Sequence, residues 1–152
     1  MGKGNRAQAR AAFARAGSSR RSRAPRGRAG HLDTIALGTT GHRSGIPRAT
    51  PLAAHRAADG TWLVVGSNFG RSHHPAWSSN LLHRPHATLT AQGFSWRVRA
   101  RQLTVHEKEQ QRDRILLAIP FYDTYAPRTG RDIRVFCLTP VTALPADRAA
   151  QA

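Results

Sequence analysis

The stretch Gly41-His42-Arg43-Ser44-Gly45-Ile46-Pro47-Arg48-Ala49-Thr50-Pro51-Leu52 carries the residues best suited to hold an anion. Its glycines permit positive φ and close approach of backbone to a ligand. Backbone N–H groups exposed in such a turn form an anion-binding concavity. Arg43 and Arg48 add forked donors that suit phosphate or carboxylate. Two readings stand at this point: a strand-turn-strand clamp on an anionic ligand, or a basic hairpin turn that binds nothing. Tyr122 and Tyr125 are spaced three apart, so a helix would put both on one face. Tyrosine can stack on a flat ring and donate a proton or hydrogen bond, or it can simply pack. Trp77 and Asn80 share this spacing, which also suits a helix face anchored to the core.

Other chemistries are poorly served. The acids are Asp33, Asp59, Glu107, Glu109, Asp113, Asp123, Asp132 and Asp147, and none forms an obvious close pair for glycosidase-like acid–base work. Cys137, the sole cysteine, falls inside a predicted strand and reads as an inert core residue. With no possible intrachain disulfide, the chain suits a reducing cytoplasm. His73, His74, His83 and His86 lie close in sequence, but no cysteine or carboxylate accompanies them to complete a zinc site, so no metal is expected. If the protein is an enzyme, a cofactor should bring the reactive atom.

The elements that must position these groups follow from periodicity. Thr34-Ile35-Ala36-Leu37 and Pro51 to Ala57 read as strands flanking the basic turn. Thr61 to Ser67 is a strand introduced by an Asp59-Gly60 turn. Ala76 to Arg84 reads as a helix stopped by Pro85. His86 to Gln92 alternates with Ala87, Leu89 and Ala91 inward, and Gly93-Phe94 turns the chain. Trp96, Val98, Ala100 and Leu103 continue a strand with Arg97, Arg99 and Arg101 on its other face. Thr104-Val105-His106-Glu107 is a capping box opening one helix that runs to Ile119. Ile133 to Leu138 is the last strand, and the small, polar residues from Pro140 onward read as frayed. The expected fold is mainly β with peripheral helices, a small antiparallel barrel.

The formal net charge of +16 over 152 residues admits polyanionic partners: nucleic acid, an anionic membrane surface or a phosphorylated cofactor. Nine of the basic residues lie in residues 1–30, from Lys3 to Arg28, where no acid occurs. This segment reads as a separate, disordered tail, with Asn5 able to cap a short helix through Phe13. Weak contact of the tail with anionic membrane or nucleic acid is one reading; a solvated extension is the favoured one. No apolar run approaches the ~20 residues needed to span a bilayer, so any membrane contact is expected to be peripheral. The expected division is a tail over residues 1–30, a barrel domain over 31–141 and a frayed end over 142–152.

Four motifs, in order, resemble the deazaflavin-dependent nitroreductase family, a branch of the split β-barrel (FMN-binding-like) flavin/deazaflavin oxidoreductases. They are Gly41-His42-Arg43-Ser44-Gly45 with Pro47-Arg48 and Thr50-Pro51-Leu52; Gly66-Ser67-Asn68-Phe69-Gly70; His74-Pro75-Ala76-Trp77 with Asn80-Leu81; and Tyr122 and Tyr125 with Thr129, Arg131 and Ile133. The resemblance runs from about Leu32 to Pro140. It implies coenzyme F420, a deazaflavin with a phosphate and an oligoglutamate tail, with FMN as the alternative. Arg43, Ser44 and Arg48, beside Thr50 and Pro51, would hold the phosphate and tail. Ser67, Asn68, Phe69 and Gly70 would meet the ring or phosphate side. Pro75, Ala76, Trp77 and Asn80 would shape the wall, and Tyr122 or Tyr125 would face the substrate side of the ring. The implied activity is hydride transfer from reduced deazaflavin to a small-molecule acceptor, such as a quinone, an activated alkene or a nitroaromatic, by a monomer or homodimer. His42 stands where the family commonly has Arg, and Asn68-Phe69 where it commonly has Lys-Gly. These departures are expected to weaken the grip on the tail, and Phe69 to narrow the substrate mouth. The rival class on charge alone is a nucleic-acid-binding module, which would need no pocket and would lose affinity steeply with salt; a third reading is the same barrel binding FMN, or carrying a cofactor without turnover.

Overall fold

The computed structural model describes residues 31–145. The basic tail and its Asn5–Phe13 helix lie outside the described residues. Six strands close into an antiparallel barrel in the order β1-β2-β3-β6-β5-β4. They are β1 (His31–Thr40), β2 (Pro47–Arg56), β3 (Trp62–Val65), β4 (His86–Ala91), β5 (Phe94–Gln102) and β6 (Val135–Leu144). Helix α1 (Ala76–His83) follows β3, and α2 (Val105–Gln110), α3 (Arg112–Ala118) and α4 (Tyr122–Thr129) separate β5 from β6.

Period-two patterning builds two cores. Ile35, Leu37, Trp62, Val64, Leu89, Trp96, Val98, Phe136 and Leu138 point into the barrel and meet Trp77 and Leu81 from α1. The alternate residues Leu63, Val65 and Val135 point outward, where Ile115 and Ala118 of α3 cover them. Cys137 packs at the edge of this outer cluster and is only half-buried, so it is not part of the barrel core expected of it.

Three expectations are corrected. The strand expected to begin at Pro51 begins at Pro47, and residues 47–54 pair with β1 alone. A proline lacks the donor a central strand needs, and the second edge here is open, so Pro47 and Pro51 are tolerated. The helix expected from Thr104 to Ile119 breaks at Gln111 (φ −100°, ψ 16°), which lets α3 turn onto the outer cluster. The end expected to fray continues as strand to Leu144, which pairs with Ser95 of β5. Beyond Leu138, β5 is β6's only strand partner among the described residues, so Pro140 again occupies a strand with an open edge there. The capping box is formed as expected: Thr104 Oγ1 accepts from the Glu107 N–H, and Glu107 Oε1 accepts from the Thr104 N–H.

Candidate active site at one end of the barrel

Antiparallel pairing brings the end of β1, the start of β2, the end of β3 and the start of β6 to the same end of the barrel. Strands β2 and β3 are joined only through His55 with Leu63 and Arg56 with Trp62, at the opposite end. Toward the near end they diverge. The basic turn stands on one side of this seam and the loop after β3 on the other.

The turn is pinned from below. Gly41 donates to the Ile46 carbonyl at 2.9 Å, and Gly45, at φ 73°, donates to the Gly41 carbonyl at 2.8 Å. Ser44 Oγ accepts from the Ile46 N–H at 3.1 Å. Asn80, buried on α1, accepts from the His42 N–H and the His42 ring Nδ1, each at 3.0 Å, and donates from Nδ2 to Thr39 Oγ1 at 3.0 Å. Because the amide oxygen only accepts, the His42 Nδ1 is the donor in this bond. The His42 ring stacks on His83 at 4.4 Å. His42 therefore docks the turn onto α1. Arg43 and Arg48 remain exposed, and neither has an ion-pair partner among the described residues.

The opposite loop is held by one guanidinium. Arg131 donates to the carbonyls of Arg71 (3.2 Å), Gly66 (3.2 Å) and Ser67 (2.9 Å), and its Nη1 meets His74 Nδ1 at 3.0 Å. A guanidinium has no acceptor, so His74 Nδ1 must accept and its imidazole is neutral. Burial, then the Arg134 and Arg131 cations, push the His74 pKa below its ordinary value, with Asp132 opposing. Thr129 fixes Arg131 in turn, accepting from its N–H at 3.2 Å. Arg134 reaches Ser78 and Ser79 at the start of α1.

Within the clamped loop Asn68, Phe69 and Gly70 all have positive φ, at 47°, 57° and 78°. For the two non-glycine residues this backbone costs roughly 1–2 kcal/mol each. A Cβ on Gly70 would stand 2.8 Å from Tyr125 Cδ1, so glycine lets α4 close onto the loop. Tyr122 and Tyr125 are half-buried against the outer cluster, and neither hydroxyl is hydrogen-bonded within the described residues.

The sequence-derived set therefore divides by position. Arg43, Ser44, Arg48 and Thr50 line the β2 side, with Pro51 farther along the exposed strand. Ser67, Asn68, Phe69, Gly70, Pro75 and Ala76 line the loop side, where Ser67 is buried and Ala76 exposed. Trp77 points into the barrel and packs on Phe136 at 5.9 Å, and Asn80 is spent on the turn, so both act as anchors in this structure. Arg131, Arg134 and His74 organise the loop, yet sequence reasoning assigned them no part in the site. Arg131 stood in the fourth motif, but nothing local marks an arginine that will reach carbonyls some 65 positions away.

The six-stranded antiparallel barrel with helices set around it is the split-barrel class expected from the sequence. The model of the F420H(2)-dependent quinone reductase family matches residues 13–140. The chain belongs to that family: it is an oxidoreductase that works with coenzyme F420. It is 30% identical over 125 residues to an F420H(2)-dependent quinone reductase of Mycobacterium tuberculosis H37Rv, covering 77% of this chain and 83% of that protein. A solved structure described as an F420-H2 dependent reductase superposes with a TM-score of 0.61 at 29% identity, covering 70% of this chain and 93% of the other. Another, described as a domain-swapped dimer, gives the same TM-score and identity and covers 79% of that chain. No helix among the described residues is long and apolar enough to cross a membrane.

Proposed function

We propose that the protein reduces a quinone-type acceptor at the seam between β2 and the loop after β3. The observation that carries this reading is the pair of exposed guanidinia, Arg43 and Arg48, without an ion-pair partner among the described residues, at the same end of the barrel as a loop whose shape is set by Arg131. This donor set fits an anionic cofactor: forked donors stand free for phosphate and carboxylate, and no acid among the described residues pairs with them. Bound reduced F420 would supply a hydride to the electron-poor acceptor. Two electrons arriving as hydride leave a quinone needing one proton to become the hydroquinone. The free hydroxyl of Tyr122 or Tyr125 supplies that proton at its Oη, or orients the water that does. Ser44 and Thr50 complete the polar lining on the β2 side. The clamped loop keeps distance and orientation constant, which lowers the barrier by holding the reactants in a near-attack geometry. The small-molecule acceptor is the partner that matters here, and the reading places the reaction in the cytoplasm, in a monomer or a homodimer. Membrane or nucleic-acid contact of the tail plays no part in it.

Titration with F420, followed by the coenzyme's fluorescence with FMN in parallel, tests the reading directly. Saturable binding of F420 in preference to FMN is expected. Binding of FMN alone would overturn the cofactor site. With binding established, Tyr122→Phe and Tyr125→Phe identify the proton donor: the correct variant lowers turnover by about a hundredfold and leaves cofactor affinity unchanged.

A further inference from the structure

Phe69 is poorly explained by stability. Its backbone is left-handed (φ 57°, ψ 29°), a conformation suited to glycine, and its side chain is 64% exposed. It belongs to neither hydrophobic cluster. The Arg71 guanidinium lies over its ring, 6.0 Å from the centroid. The turn that presents it is nonetheless pinned on both sides. Gly70 donates to the Ser67 carbonyl at 3.0 Å and Arg71 to the Asn68 carbonyl at 3.1 Å, while Arg131 holds the Ser67 and Arg71 carbonyls. The next residue, Gly70, lies against the Tyr125 ring, and Tyr125 in turn lies 6.1 Å from the ring of Phe121, itself exposed. A strained backbone thus carries an exposed aromatic ring at the edge of the tyrosine face.

We propose that Phe69 selects the acceptor: beyond the coenzyme-side position expected of it, its ring is a platform for a flat, electron-poor aromatic acceptor. The inference rests on the reading of the site given above. An electron-poor ring stacks favourably on the face of phenylalanine that the Arg71 guanidinium leaves free. A short acyclic enone presents no such face and gains nothing from the platform. The residue is thereby a specificity determinant, whereas Tyr122 and Tyr125 serve proton supply.

The test compares the wild type with Phe69→Gly and Phe69→Tyr. Glycine takes positive φ freely, so the melting temperature of coenzyme-free Phe69→Gly should be unchanged or raised. The ratio of kcat/KM for a bicyclic quinone to that for an acyclic enone should fall about tenfold in Phe69→Gly, a larger change than any in its F420 affinity. Phe69→Tyr should restore the preference. Quenching of intrinsic fluorescence by menadione on the coenzyme-free protein should weaken in Phe69→Gly alone. A lower melting temperature in Phe69→Gly would make the residue structural and overturn the proposal. So would an unchanged quinone-to-enone ratio, or a loss of F420 affinity as large as the loss on quinone. Failure of wild type to bind F420 would overturn the cofactor reading instead, and the quenching comparison would still decide Phe69.

Discussion

The two ends of the barrel use arginine in opposite ways. At the far end Arg56 is 8% exposed, its guanidinium 5.1 Å from the Trp62 ring and 5.5 Å from the Trp96 ring. Burial lowers its pKa, and the Asp33 charge works against that shift. Nearby, Arg114 on α3 donates from Nε to His55 Nδ1 at 2.8 Å and from Nη2 to the His55 carbonyl at 3.3 Å. At the near end Arg43 and Arg48 project into solvent. A guanidinium taken out of water must be repaid by aromatic faces and acceptors, and once repaid it has nothing left for a ligand. An exposed one keeps its donors available. The net charge of +16 therefore sums two different quantities, and only the exposed part bears on binding an anion. Arg131 combines them: it sits at the near end but its donors are committed to the protein's own carbonyls.

The largest test of this contrast is Arg131→Ala. It strips charged donors from the Gly66, Ser67 and Arg71 carbonyls and should cost about 3 kcal/mol of stability, with loss of F420 binding as the loop opens. A fall in binding without a fall in melting temperature would show that Arg131 touches the ligand rather than the loop. Arg56→Ala comes next. Losing the stacked guanidinium between two tryptophans should cost about 2 kcal/mol of stability and leave the affinity of the folded protein for F420 unaltered. Arg43→Ala and Arg48→Ala should behave in the reverse sense. Each weakens F420 binding by about 1.5–3 kcal/mol, the range for hydrogen bonds to charged groups, and shifts stability by less than about 0.5 kcal/mol. Unchanged affinity in both would remove the turn from the anion site.

The smallest effect concerns pH. His55 is 3% exposed, and its pKa lies below the ordinary 6.5 because of burial, then the Arg114 charge, then His31. The unfolded chain binds a proton there at a pH where the folded one does not. The stability it contributes is therefore present above pH 6.5 and is lost as pH falls from that value toward the folded-state pKa. Melting temperatures measured between pH 7.5 and 5.5, a range spanning about 6.5, should fall toward the acid side, and less so in His55→Gln. An equal slope in both proteins would assign the acid sensitivity elsewhere.

Much of this was legible in the chain itself. The inward alternation of Ala87, Leu89 and Ala91, and of Trp96, Val98 and Ala100, is local and survives in the barrel core. The capping box at Thr104 needed only four residues to recognise. Other features were not legible. The break at Gln111 interrupts a stretch with good helical pattern, and it exists because α3 must lie over Leu63 and Val65. The start of β2 at Pro47 and the passage of β6 through Pro140 depend on open strand edges, which no residue announces. Trp77 is buried against Phe136 and Asn80 bonds His42, the anchoring role that their three-residue spacing already allowed, but the partners themselves could not be read from the spacing.

Composition, periodicity and ordered motifs by themselves determined the β-rich class, the family and the basic character of the turn at Gly41–Arg48, because each depends on residue type and short spacing. Only the tertiary structure decided which arginines are free. That depends on partners distant in sequence: Trp96 for Arg56, His55 for Arg114, the Gly66 and Ser67 carbonyls for Arg131. The charge on a guanidinium is written in the sequence, but its availability is set by desolvation and by which acceptors the fold brings within hydrogen-bond reach.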